Sequence, residues 1–226
     1  KRVSEVGVTR PEDPDVARAA ALPVAVLADV TDRLGHRSQV LDHGVRPLGQ
    51  RAALAGRAFT VAAVASDEIL ERPYDREIEA VDATPAGAVV VLATGGVREA
   101  AVWGELLTTR MLARGGVGAV TDGGVRDVAA IRELDVPVFA AAITPRDSMG
   151  RLLVVSHGEP VECAGVAVAP GDLVRGDDDG VIVVPAGLVP AVLAAAEEKV
   201  ELERTVRREM EAGASATDLY ERYGVL

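Results

Sequence analysis

Short apolar runs alternate with helically spaced apolar positions through the middle of the chain. The runs are typical of buried strands, and the spaced positions predict amphipathic helices. The predicted strands span 57–65, 87–96, 117–124 and 136–144, and the predicted helices span 103–116 and 126–135. Helices that cross between successive strands are typical of a parallel sheet. Glycine-rich loops at 94–104 and 121–126 then fall at the carboxyl ends of strands, where such sheets bind ligands.

The two ends of the chain follow other patterns. Residues 15–34 have helical spacing, with a predicted break at Pro23. Beyond Arg151, short β-type runs separated by Gly, Pro and Asp predict hairpins, so we expect a mixed sheet. A long helix is predicted over 186–213 and a short one over 215–223.

Size and charge narrow the classes of protein that fit. With 226 residues, 49% of them apolar, and no internal repeat or linker, the chain is predicted to form one domain over 1–226 with a helical C-terminal segment at 186–226. A formal net charge of −11 disfavours binding to nucleic acid or to an anionic membrane. No apolar run approaches the roughly 18 residues that span a bilayer. The single cysteine, Cys163, excludes an intrachain disulfide, and we expect a cytoplasmic protein.

The basic residues exclude several kinds of chemistry. Of the 24 lysines and arginines, all but Lys1 and Lys199 are arginine. Schiff-base formation needs a desolvated lysine, whereas Lys1 is terminal and Lys199 lies in the charged segment EEKVELER. Class I aldolases, pyridoxal-phosphate enzymes and Walker-type NTPases are therefore disfavoured.

The first candidate for a ligand site is the predicted helix start at Gly104, Glu105, Leu106 and Leu107. A helix N-terminus has unpaired N–H groups and the positive end of the helix dipole, so it can bind a carboxylate or phosphate. Glycine allows a ligand to approach the backbone closely. The alternative is an ordinary strand-to-helix turn in which Glu105 is only a favourable first-turn charge.

The second candidate is the segment DGGVRD at 122–127. The Arg126 guanidinium can bind a carboxylate through two hydrogen bonds, and Asp127 offers the hard oxygen ligand that Mg²⁺ or Mn²⁺ prefers. Together they could hold a 2-oxo acid. In the alternative, Asp122 and the following glycine form a turn and Asp127 caps the next helix. The two candidates lie in consecutive strand–helix units, so we expect their loops to be neighbours.

The chain resembles a known family at these residues. Glu105 is followed, after twenty intervening residues, by Arg126 and Asp127. This is similar to the acid-x20-Arg-Asp signature of the 4-hydroxy-4-methyl-2-oxoglutarate / 4-carboxy-4-hydroxy-2-oxoadipate aldolases, metal-dependent class II pyruvate aldolases that share a fold with the regulator of ribonuclease E activity A. The likeness continues through DVTDRLG (29–35), QVLDHGVRPL (39–48), AGRAFTV (55–61) and PGDLVRGDDDGVIVVP (170–185).

The resemblance implies an α/β fold, an αββα layered sandwich of mixed sheets with flanking helices. It also implies a homotrimer or homohexamer with active sites at subunit clefts. By the same likeness, Gly104 to Leu107 would bind the substrate, Arg126 its pyruvyl carboxylate, Asp127 the Mg²⁺ or Mn²⁺, and Glu105 the waters on that metal. The family usually has Asp at the Glu105 position. It also takes an acidic residue from a neighbouring subunit, for which Glu198 and Glu201 are candidates.

The function implied is a lyase that cleaves a 4-hydroxy-2-oxo acid or diacid, such as 4-hydroxy-4-methyl-2-oxoglutarate, to pyruvate and a second 2-oxo acid. Oxaloacetate decarboxylation would pass through the same pyruvate enolate. The alternative is a non-catalytic ribonuclease E-binding regulator. That branch usually lacks the Arg-Asp pair, so Arg126 and Asp127 favour the enzyme.

Three further residues or motifs are expected to be structural. We expect Cys163 to be a small buried apolar residue, and Asp177–Asp179 with Gly180 to form a hairpin turn. Trp103 could wall the substrate pocket, although packing in the core is the favoured interpretation.

Overall fold

The computed structural model of the chain describes residues 13–49 and 51–225. Its strands are β1 (Arg46–Pro47), β2 (Leu54–Ala65), β3 (Ala88–Ala93), β4 (Ala101–Trp103), β5 (Gly118–Val125), β6 (Val138–Ile143), β7 (Leu152–His157), β8 (Val161–Cys163), β9 (Val166–Val168), β10 (Leu173–Asp177) and β11 (Gly180–Val184). Its helices are α1 (Pro14–Ala20), α2 (Val24–Arg33), α3 (Asp75–Asp82), α4 (Glu105–Ala113), α5 (Val128–Glu133), α6 (Val189–Glu211) and α7 (Ala216–Tyr223).

The main sheet is mixed, as the sequence predicts. Its strands follow the order β1-β6-β5-β3-β2-β10-β11, with β4 beside β5 and β7 beside β2. The central strands β2, β3, β5 and β6 are parallel, whereas β7, β10 and β11 are joined by antiparallel pairing. The segment before β1 reaches back to β11, because the Leu41 N–H donates to the Val181 carbonyl over 2.9 Å. The sheet is therefore nearly closed.

Apolar residues form three clusters that give the fold its layers. One fills the inside of the curled sheet, with Val89, Val120 and Phe139 among its members. A second lies between the sheet and the helices α3, α4 and α5, and a third packs α1, α2 and α6 against β10 and β11. This arrangement of helices outside two facing parts of a sheet confirms the expected αββα fold class.

The helices at both ends follow the sequence pattern closely. Pro23 separates α1 from α2, and the first N–H of α2 donates to Oδ2 of Asp177 over 2.8 Å. Asp177 also begins the hairpin turn predicted before Gly180, which pairs with it across β10 and β11. Near the C-terminus, α7 begins at a Ser215 cap. None of the helices in the described part of the chain combines the length and apolar character that a membrane crossing needs.

Three boundaries near the candidate site differ from the prediction. The glycine turn expected at the end of 117–124 is wrong, because β5 continues through Gly123 to Val125. A Cβ on Gly123 would lie 2.6 Å from Cγ2 of Thr94, so glycine here permits the close approach of the loop after β3. The helix predicted over 103–116 covers only α4, since Trp103 pairs with β5 as part of β4.

The helix predicted over 126–135 is also shorter than expected. The N–H of Arg126 donates to the carbonyl of Trp103 over 3.0 Å, so Arg126 continues the strand pairing and α5 begins two residues later. Arg126 and Asp127 therefore lie in the connection between strand and helix, at the carboxyl end of β5. The prediction of a single domain over 1–226 includes residues outside those described and stays a prediction.

Candidate active site

The start of α4 forms one side of the candidate site. Gly104 precedes the helix with extended backbone and has no side chain to cap it. The Glu105 N–H faces the Asp127 carboxylate, and the N–H groups of Leu106 and Leu107 remain for a ligand. The Thr108 hydroxyl donates to the Gly104 carbonyl over 2.8 Å and accepts from Nε1 of Trp103 over 2.8 Å. Trp103 is only 4% exposed and packs in the core, and its hydrogen bond to Thr108 ties the turn at Gly104 to that core.

Asp127 forms the opposite side of the site in an unusual backbone conformation. Its φ of 58° and ψ of 31° are left-handed, a region that residues other than glycine seldom adopt. Asp127 stands at the cap position of α5, yet its side chain makes no capping hydrogen bond to that helix. The structure therefore places Asp127 at the start of α5, as that alternative has it, but without a capping hydrogen bond from its side chain. The carboxylate is about half exposed and remains available to a ligand.

The two sides meet. Oδ2 of Asp127 lies 3.5 Å from the Glu105 backbone nitrogen and 3.7 Å from Nε of Arg126. The two candidate segments are therefore neighbours in the structure, as the sequence predicts. It is the backbone of Glu105 that contacts Asp127. The Glu105 side chain lies along the helix, where its Oε1 accepts from the Thr109 hydroxyl over 2.7 Å.

Leu106 and Leu107, which are predicted to bind the substrate together with Gly104 and Glu105, differ in their side-chain surroundings. Leu106 is 78% exposed, whereas Leu107 is partly buried against the core cluster beneath α3 to α5. Leu106 therefore lies on the outer face of the helix start. Because leucine side chains are apolar, any carboxylate held here would contact the backbone N–H groups of this turn.

Asp147 and Tyr74 lie beside Arg126, although the sequence analysis did not identify them. Nη1 of Arg126 donates to Oδ1 of Asp147 over 3.1 Å, and the Tyr74 hydroxyl donates to Oδ2. Asp147 follows β6, the next parallel strand after β5. The rule that ligands bind at the carboxyl ends of parallel strands would have pointed to this loop as well.

A partly buried carboxyl group lies behind this network. The Ser148 hydroxyl donates to Oε1 of Glu77 over 2.9 Å. Burial raises the pKa of the Glu77 carboxyl above its ordinary value, and the nearby Asp147 charge adds to the effect, while the Ser148 hydrogen bond opposes it. Apolar residues of the core, including Val102, Trp103 and Leu107, border the same narrow gap as Glu77.

Asp122 does not form the turn with Gly123 that the sequence offered as an alternative; it stabilises the strands and loops that carry the site. It is buried within β5 and accepts from the backbone N–H of Thr94 over 2.6 Å and from its hydroxyl over 2.8 Å. The Gly96 N–H donates to its other oxygen over 3.1 Å. Asp122 therefore holds the loop after β3 against β5. Beneath it, Cys163 is buried as expected, and burial raises the pKa of its thiol.

The donor set allows a metal site with few protein ligands. Within residues 13–49 and 51–225, three or more His, Cys, Asp or Glu side chains do not come together as a metal-binding group. Mg²⁺, however, is often held by one or two carboxylates together with water. The half-exposed carboxylate of Asp127, turned away from its own helix, fits that kind of site.

Known proteins resemble the chain over most of its length. A protein of Halalkalibacterium halodurans named "Putative 4-hydroxy-4-methyl-2-oxoglutarate aldolase" is 29% identical over 81% of this chain and 82% of its own. The protein DlpA of Legionella pneumophila is 30% identical over 71% of this chain, but the match spans only 26% of DlpA. The crystal structure of Streptomyces coelicolor RraAS2, described as an unusual member of the RNase ES inhibitor RraA protein family, superposes with a TM-score of 0.81 at 28% identity, covering 88% of this chain and all of that one.

The chain also matches a protein family. Residues 24–183 match the RraA-like family, described as Aldolase/RraA. This range includes the start of α4, the Arg126–Asp127 connection and the nearly closed sheet that carries them. The chain therefore belongs to the RraA-like family of aldolases and RraA proteins.

Proposed function

We propose that this protein is a divalent-metal-dependent lyase that cleaves a 4-hydroxy-2-oxo acid or diacid, such as 4-hydroxy-4-methyl-2-oxoglutarate, to pyruvate and a second 2-oxo acid. One observation carries the proposal: the approach of Asp127 Oδ2 to the start of α4 and to Arg126 brings helix amides, a guanidinium and an exposed carboxylate together. The aldolase name of the Halalkalibacterium relative supports it.

The substrate carboxylate would bind between Arg126 and the backbone of Gly104 to Leu107. A guanidinium pairs with a carboxylate through charge-assisted hydrogen bonds. The N–H groups of Leu106 and Leu107 in the first turn of α4 and the positive end of its dipole add to this attraction. With the substrate held in this way, both groups would also act on the negative charge that develops on the 2-oxo oxygen and so stabilise the transition state.

Asp127 would hold the metal, and Glu105 would hold water beside it. Bound Mg²⁺ or Mn²⁺ supplies Lewis-acid polarisation of the substrate's 2-oxo group. The Thr109 hydroxyl donates to Oε1 of Glu105 and fixes that carboxylate on the first turn of α4.

The bond changes follow from this binding mode. The C4 hydroxyl loses its proton to a water held by the Glu105 carboxylate and becomes a carbonyl. The electrons of the C3–C4 bond pass to the 2-oxo group, and C3 then takes the proton back from that water to form the methyl group of pyruvate. Oxaloacetate would lose carbon dioxide by the same electron flow. Arg126 keeps the carboxylate in place throughout.

The surroundings of Lys199 agree with a mechanism that needs no lysine. Its ammonium group lies 2.9 Å from Oε1 of Glu203 and 3.2 Å from Oδ2 of Asp29. The hydrogen bond to Glu203 raises the pKa of Lys199, followed in effect by the bond to Asp29, and burial opposes both. A Schiff-base lysine needs the reverse shift. Lys1 lies outside the described residues.

We also propose that the chain works in the cytoplasm as a homotrimer or a dimer of trimers. The aldolase resemblance implies this assembly, and the acidic Glu198 or Glu201 of α6 would then serve a neighbouring site. Light scattering at micromolar concentration should give a particle several times the 23.4 kDa of one chain. A particle of one chain's mass would contradict the assembly.

The second candidate is a non-catalytic protein that binds a ribonuclease. It is favoured by the likeness to RraAS2, whose described family inhibits RNase ES. The two candidates differ in an assay of pyruvate release from 4-hydroxy-4-methyl-2-oxoglutarate and from oxaloacetate, with Mg²⁺ or with EDTA. Release that needs Mg²⁺ supports the lyase. No release, with inhibition of a ribonuclease by the purified chain, supports the second candidate.

A further inference from the structure

Three segments of the chain converge on the carboxylate of Asp147. Oδ1 accepts from Nη1 of Arg126 over 3.1 Å and from the Ser148 N–H over 2.9 Å. Oδ2 accepts from the hydroxyl of Tyr74, which precedes α3. The carboxylate thus joins the loop before α3 to the connection after β5. Its two oxygens are engaged on different sides, so Asp147 has a defined orientation toward Arg126.

This contact restricts how Arg126 can present its guanidinium. Asp147 engages Nη1, and Oδ2 of Asp127 faces Nε at 3.7 Å. Within the described part of the chain, Nη2 has no hydrogen-bond partner. Without Asp147, a long side chain that is 40% exposed would sample several rotamers and lose entropy on binding a ligand. With it, both N–H groups of Nη2 remain for an incoming carboxylate.

We propose that Asp147 and Tyr74 are positioning residues that hold the Arg126 guanidinium ready for the substrate carboxylate, with Tyr74 acting through Asp147. This inference rests on the proposed function. Orientation of a binding group before the substrate arrives lowers the cost of binding.

The surroundings of the pair fit this role better than a role in stability. The ring of Tyr74 is 36% exposed and the side chain of Asp147 27% exposed, and ion pairs at such positions add little to folding stability. The hydrogen bond to Asp147 raises the pKa of the Tyr74 hydroxyl, which therefore keeps its proton at neutral pH. Behind the pair, the bond from Ser148 to Glu77 ties the loop to α3.

The test compares Tyr74→Phe, Asp147→Asn and the double variant with the wild type. Tyr220→Phe is the matched control, because Tyr220 is exposed on α7 and has no side-chain hydrogen bond in the described structure. The first readout is the NMR signal of the Arg126 Nε–H group, identified by its loss in Arg126→Lys. The second is the steady-state kinetics of pyruvate release.

We expect the Arg126 signal to shift and its guanidinium rotation to quicken in Tyr74→Phe and in Asp147→Asn, but not in Tyr220→Phe. We expect kcat/KM to fall about tenfold in Asp147→Asn with most of the change in KM, because Arg126 binds the substrate carboxylate both before and during the reaction and only part of its effect is confined to the transition state. Because Tyr74 acts through Asp147, adding Tyr74→Phe to Asp147→Asn should change neither readout further.

An unchanged Arg126 signal in Asp147→Asn would overturn the inference, and so would a changed signal with unchanged KM. Additive effects of the two substitutions would remove Tyr74 from the network. If the wild type releases no pyruvate, the proposed function fails, yet the NMR signal still decides whether Asp147 and Tyr74 orient Arg126.

Discussion

A Cβ atom on Gly104 would lie 2.8 Å from Oδ2 of Asp127 and 3.3 Å from Cγ of Arg126. The connection after β5 therefore crosses directly over the start of α4, with room for backbone only. This closeness lets one ligand contact the helix amides, the guanidinium and the carboxylate at once.

Gly104→Ala should reduce activity more than it reduces stability. The added methyl group must push the Asp127 carboxylate aside, although the extended backbone at this position suits alanine. We expect kcat/KM to fall by at least about tenfold, since small displacements of catalytic groups are costly. Gly187→Ala is the control, because a Cβ there meets nothing within 4 Å. Wild-type kinetics in Gly104→Ala would show that the contact is not part of the site.

Two substitutions at Glu105 separate a role in the reaction from a role in the helix. If Glu105 orients water, Glu105→Asp should keep substantial activity and Glu105→Ala should lose most of it. If it is only a first-turn charge, alanine would cost well under about 1 kcal/mol of stability and leave turnover unchanged. Kinetics at saturating Mg²⁺ measure the difference. Full turnover in Glu105→Ala would weaken the whole aldolase proposal.

Substitutions of Arg126 and of Asp127 should each reduce activity, but through the loss of different ligands. Asp127→Ala should abolish activity by removing the carboxylate that holds the metal, which calorimetric titration with Mn²⁺ would record as lost binding. Arg126→Ala should still bind Mn²⁺ but lose about 2–5 kcal/mol of substrate and transition-state binding, or roughly thirtyfold or more in kcat/KM. Equal Mn²⁺ affinity in wild type and Asp127→Ala would contradict the assignment of the ligand.

The sequence predicted the central parallel strands with their crossover helices and the meeting of the two candidate loops, because both follow from apolar patterns and from parallel-sheet topology. It did not predict the short strands β1 and β4. It did not predict that Asp122 is buried in β5, since a glycine pair is also typical of a turn and the loop packed over it is set by tertiary structure. The left-handed backbone of Asp127 has no local signal either.

Tyr74 and Asp147 were not predicted as site residues for a different reason. They are 73 residues apart in the chain, and their contact depends on how the loop before α3 folds over the sheet edge. Only the position of Asp147 after a parallel strand was available as a signal, and it applies equally to every residue of that loop.

Glu77 predicts a dependence of stability on pH. Because burial raises its folded-state pKa above the ordinary 4.5, the folded protein binds more protons than the unfolded one between 4.5 and that higher value. Its contribution to the free energy of unfolding therefore falls as the pH rises through this window. Glu77→Gln keeps an oxygen that can accept from Ser148 and removes the charge.

The stability of Glu77→Gln relative to wild type should accordingly increase between pH 4 and pH 7. Urea unfolding at the two pH values measures it, with the exposed Glu71→Gln as a control. A difference that is constant with pH, or that decreases, would show that the Glu77 carboxylate is not disfavoured in the folded protein.

Exchange of the pyruvate methyl protons in D₂O is the sharpest test of the proposed lyase activity, because it reports formation of the pyruvate enolate without depending on the C4 substituents of the substrate. Proton NMR of pyruvate mixed with the enzyme follows the loss of the methyl signal. We expect exchange well above the buffer rate with Mg²⁺, its loss on addition of EDTA, and its loss in Arg126→Ala. Exchange no faster than in buffer, for wild type with saturating Mg²⁺, would contradict that activity.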